Sequence, residues 1–85
     1  MASTQFKEKI KAIVRSQFPP PDDWVDVTDG YQDNVHVVVI SHQFDDLGER
    51  EKQEKLWSVL DGSELTDSEK HQISVILPYS PVEIA

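Results

Sequence analysis

The 85-residue chain contains no cysteine. That absence removes disulfides, thiol nucleophiles and any metal or iron–sulfur site built from the chain's own thiolates. No apolar run reaches membrane-spanning length, and the N-terminal stretch MASTQFKEKIK has no apolar core of the signal-peptide kind. The expectation is a soluble, cytoplasmic protein with no membrane partner. A Gly-rich phosphate loop, a nucleophile elbow and a histidine pair at metal-binding spacing are also missing, which argues against an enzyme. Positive charge is scarce as well. Eight Lys and Arg against sixteen Asp and Glu leave a net charge of −8, and this disfavours binding driven by phosphate neutralisation.

What is present reads as one folded domain, residues 1–85. A chain of this length buries only about 60–65% of its unfolded surface, so nearly every element must share one core. Phe6, Ile10, Ile13 and Val14 recur at helical spacing and predict a helix from Thr4 to Phe18, capped by Ser3 or Thr4 and ended by Pro19–Pro21. Trp24 to Asp29 alternates, with Val25 and Val27 on one face, as a half-buried strand does. DGYQDN supplies a turn, and the β-branched run Val35 to Ser41 predicts a hairpin partner that is central in a sheet or covered on both faces. Asp46 with Glu49 predicts a cap for a helix from about Leu47 to Leu60, solvated in its first half, apolar in its second, and closed by Gly62 in a left-handed conformation. Thr66 and Glu69 predict a short turn of helix. Ile73, Val75 and Leu77 alternate as a third strand that Pro78 stops, and Ser80, Pro81 and Glu83 start a terminal turn. The fold class is α/β of the α+β kind, in the order α-β-β-α-(short α)-β-(short α). Its sheet is mixed and three-stranded, with a parallel crossover from the second strand to the third and helices on one face.

Few residues are candidates for chemistry. His36 lies inside the second strand, on the face of Val38 and Ile40, where a hydrogen-bonded structural role is the plainer reading; His42 follows that strand. His71 stands where the short helix meets the third strand, on the side of Ile73, Val75 and Leu77 but at the rim. A neutral imidazole there is a competent metal ligand. Lys7, Lys11 and Arg15 share a four-residue spacing and line one helix face, as a solvated surface or a docking stripe for an acidic partner. With Arg50, Lys52 and Lys55 they are the phosphate contacts available if the chain binds nucleic acid.

The order of elements, the run HVVVIS followed by Phe44, the helix end LWSVL and the stretch HQISVILPYSPVEI resemble the BolA family over roughly Ile10 to Ile84. Ser41 and Phe44 match its strand-two ending, Leu56, Trp57 and Leu60 its helix ending. His71, Ile73 and Val75, with Ser80, Pro81, Glu83 and Ile84, echo its C-terminal signature. The resemblance implies a fold similar to the class II KH arrangement. It also implies a non-enzymatic partner of monothiol glutaredoxins in iron–sulfur cluster handling or a DNA-binding regulator; an adaptor on the same fold without a cluster is the other reading. The chain alone would hold no cofactor. His71 inherits the role of a ligand to a 2Fe–2S cluster shared with the glutaredoxin. Lys52, Gln53 and Glu54 stand where the family has Arg-His-Arg. The loop between the first two strands holds neither the family's histidine nor its cysteine. Asn34 occupies the usual position, and His36, two residues on and on the same strand face, is the candidate second ligand.

Overall fold

The computed structural model describes residues 2–84, and the ends of the expected domain, Met1 and Ala85, lie outside the described residues, as does the side chain of Ile84. The elements are α1 (Thr4–Arg15), β1 (Trp24–Asp29), β2 (Val35–Ile40), a 3-10 turn (His42–Phe44), α2 (Glu49–Asp61), α3 (Asp67–His71), β3 (Ile73–Tyr79) and α4 (Pro81–Ile84). The sheet order is β1-β2-β3, with β1 antiparallel and β3 parallel to β2. The α+β domain with a mixed three-stranded sheet is therefore the one expected, and β2 is its central strand.

The core lies on one face of that sheet. Val25 and Val27 of β1, and Val35, Val37 and Val39 of β2, are buried against Ile10 and Val14 of α1 and Leu56 and Leu60 of α2. Period two on the strands and period four on the helices each bring their apolar residues to this layer. Phe18 leaves the end of α1 and stacks on Phe44 of the 3-10 turn, with ring centroids 5.2 Å apart. That packing explains why α1 ends at Arg15 rather than Phe18. The Gln17 and Phe18 N–H groups both turn back onto the Val14 carbonyl, and Phe18 drops into the core before the prolines begin.

Other boundaries move for identifiable reasons. Asp46 is not the cap of α2, because its backbone is left-handed (φ 63°), a conformation that aspartate tolerates better than most residues. Gly48 takes the cap position instead, and its N–H donates to Glu51 Oε1 at 3.3 Å. Leu47 is thereby freed to pack on the core. Gly62 closes α2 at φ −80°, not in the left-handed region; a Cβ there would lie 3.2 Å from the Ser58 carbonyl oxygen. Pro78 does not stop β3, which runs on to Tyr79 and accepts the Ser41 N–H there at 2.9 Å. Proline is tolerated because β3 is an edge strand. Thr66 with Glu69 and Ser80 with Glu83 cap α3 and α4 as expected.

The largest departure is in β3. Val35 pairs with Ile73 but His36 pairs with Val75, so Ser74 is an extra residue, a bulge. Beyond it the faces exchange. Ile76 and Pro78 join Ile73 in the buried layer, while Val75, Leu77 and Tyr79 turn to the other side. The expected alternation of Ile73, Val75 and Leu77 on one face is thus replaced. His71 is the last residue of α3, outside the strand altogether.

Candidate functional site

His71 and the β1–β2 loop meet at one end of the sheet. The Val35 N–H donates to the Gln72 carbonyl at 2.8 Å, which stitches the α3–β3 junction to the start of β2. The loop itself is closed by Gly30 N–H to the Asn34 carbonyl at 2.8 Å and by a left-handed Gln32. His71 is exposed, and among the described residues its ring makes no hydrogen bond or ion pair. His36, the second residue of β2, is half-buried between Thr28 and Val75 on the neighbouring strands. Its ring lies close over Gly30: a Cβ at that position would fall 2.8 Å from Nε2, so a larger residue there would push the imidazole aside.

The topology therefore brings both candidate histidines and the loop to the same end of the sheet. It does not assemble a ligand set. Among the described residues no three His, Asp or Glu side chains are grouped to hold a metal ion. Of the two candidate imidazoles, that of His71 is exposed and that of His36 half-buried.

The opposite end of the sheet holds a network that sequence reading missed. Lys52 is only 3% exposed, although the first half of α2 was expected to be solvated. Its Nζ donates to Glu83 Oε1 and, at 3.3 Å, to Glu49 Oε1. Glu83 also accepts the Ser80 N–H at 2.8 Å, and Ser80 Oγ donates to Asp45 Oδ1. Asp45 Oδ2 lies 2.8 Å from His42 Nδ1. These contacts clip α4 to α2 and to the 3-10 turn beside a cleft of about 450 Å³. The hydrogen bond from Lys52, with that from Ser80, holds the Glu83 carboxyl below the usual range. The bonds to Ser80 and His42 do the same for Asp45, and Glu83 raises Lys52. Serine, aspartate and histidine meet here with the carboxylate in the middle, so His42 bonds Asp45 and not the Ser80 hydroxyl, unlike the base of a Ser-His-Asp triad. Lys52 stands four and eight residues before Leu56 and Leu60, and that spacing was the signal for its burial.

The remaining basic candidates do not form one surface. Lys7 pairs with Asp29 at 3.2 Å, and Lys11 lies 3.8 Å from Asp26. The stripe on α1 thus faces carboxylates of the chain's own β1. Arg50 pairs with Glu54 on the solvent side of α2 at 3.0 Å. Arg15 is exposed and Lys55 half-buried. Lys9, not singled out from the sequence, bonds Glu69 at 3.0 Å and ties α1 to α3. The Thr66 N–H and Lys9 hold the Glu69 carboxyl low.

No helix among the described residues is long and apolar enough to cross a membrane. A scan against protein-family models found no match to this chain, and a search of curated proteins found none either.

Proposed function

We propose that this chain is a non-enzymatic accessory of iron–sulfur cluster handling that lends the imidazole of His71 to a 2Fe–2S cluster held by a monothiol glutaredoxin. The observation that carries the reading is the place of His71: exposed, unbonded among the described residues, and at the sheet end where the β1–β2 loop also lies. The order of elements and the motif from His71 to Glu83 support it through their resemblance to the BolA family. The lack of cysteine fits a donor of nitrogen, with sulfur supplied by the partner. His36 shares this end of the sheet, but its ring is packed over Gly30 and turns less freely to a partner.

The test is an anaerobic titration of the full chain into a 2Fe–2S-loaded monothiol glutaredoxin, followed by visible absorption and circular dichroism. Wild type is expected to change the cluster spectrum at a stoichiometric end point, and His71→Ala to leave it unchanged while keeping the wild-type melting temperature. A spectral change that survives His71→Ala, or no change with wild type, overturns the reading. His36→Ala run alongside separates one imidazole ligand from two.

A further inference from the structure

We propose that the open face of the sheet is a docking surface for a basic amphipathic helix of a partner protein. The inference does not rest on the cluster reading: it uses neither His71 nor ligation by His36, although His36 shares this face with Val38 and Ile40. The face is set by pairing. Trp24, Ile40 and Tyr79 align across the three strands at one end, Val38 and Leu77 in the middle, and Val75 at the other end. Helices cover only the opposite face. Trp24 is 52% exposed and Val75 38%. Six apolar side chains thus form one contiguous patch instead of the scattered singles of an ordinary surface.

The sheet edges are poor alternatives. On β3 the Gln53 side chain donates to the Ile76 carbonyl at 3.2 Å, and Pro78 has no N–H to offer. On β1 the Asp26 and Asp29 side chains stand with Lys11 and Lys7 alongside. Edges blunted in this way resist an added strand.

Size and charge select the occupant. Three strands of about six residues span roughly 10 Å by 20 Å. That is the footprint of one helix, about 10 Å across and about 13 residues long. Two copies stacked face to face would each bring a net charge of −8, and that like charge opposes a second copy as the occupant. No Lys or Arg occurs between Arg15 and Arg50, or after Lys70. All three strands fall in those two intervals. The first interval alone holds eight of the sixteen acidic residues. An apolar patch in such a field favours a helix whose apolar stripe is flanked by Lys and Arg. The same field repels nucleic acid and anionic lipid.

The experiment is selection of a displayed library of random helix-forming peptides against the full chain. Enriched peptides are expected to carry apolar residues at i, i+3 or i+4 and i+7 between basic flanks. Their affinity should fall at least tenfold for Val75→Glu and for Trp24→Ser, at exposed sites where circular dichroism will check folding, and should weaken with salt. Enrichment of extended or acidic peptides, no enrichment, or binding untouched by both variants overturns the proposal. So does sedimentation showing a wild-type dimer that Val75→Glu dissolves, which would make the occupant a second copy.

Discussion

The two faces of the sheet are built from similar side chains and do different work. On the covered face Val35, Val37 and Val39 lose all contact with water, and α1 and α2 close over them. On the other face Val38, Ile40 and Leu77, of the same chemistry, stay half-exposed. Apolar character alone does not decide burial in a domain this small. The supply of covering helix does, and α1 and α2 are enough for one face only. Stability accordingly resides on the covered side, and the open side can vary at little cost to the fold.

Adjacent residues of β3 make the sharpest test. Ile76→Ala is expected to destabilise by about 2–5 kcal/mol, the range for emptying a buried aliphatic site. Leu77→Ala, one residue on and facing outward, should cost about 1 kcal/mol or less. Urea unfolding of both variants measures the contrast, and equal losses would mean that something covers the open face in the free protein.

A smaller effect is expected where the covered layer is clipped at its end. Glu83 and Asp45 have folded-state pKa values below their ordinary ones. Their contribution is therefore complete above the unfolded carboxylate range, about 4, and is lost as pH falls through the lower folded values. Thermal melts should hold steady from neutrality down to about pH 5 and then decline. Glu83→Gln should lower the melting temperature near neutral pH and flatten that acid decline. Lys52 shifts the other way: its contribution persists below the ordinary lysine pKa and fades only above it. The smallest effect is expected at Val75→Thr, within about 0.5 kcal/mol in stability, yet measurable against any peptide that the open face selects.

Much of this was legible from the residues. The hairpin, the parallel third strand and the caps at Thr66 and Ser80 follow from local chemistry, since each needs only a few neighbouring residues. The parity of β3 was not legible. After Ser74 every residue to Tyr79 is apolar, so either register satisfied the pattern, and only pairing with β2 chose between them. The burial of Lys52 was half legible, because its spacing from Leu56 pointed inward while its charge pointed outward. Glu83, thirty-one residues away, resolves that conflict. The uncovered face of β2 was legible from the expected architecture, helices on one face of a three-stranded sheet, but not from the run Val35 to Ser41 itself, which reads equally well as covered on both faces.

Ser74 sets what amounts to a reading frame for β3. Strand faces are counted in twos, so a slip that paired Ser74 with His36, in place of Val75, would turn the remainder of the strand inside out. Val75, Leu77 and Tyr79 would be carried toward the core, and Ile76 and Pro78 toward solvent. Tyr79 would carry a hydroxyl inward, and the other exchanged residues are apolar, so that one group is the chief polar penalty against the inverted strand. The open-face patch and one wall of the core would trade places through that slip alone, whereas loss of Ser74 would only restore an unbroken ladder, with Ile73, Val75 and Ile76 alternating as Val35, His36 and Val37 do.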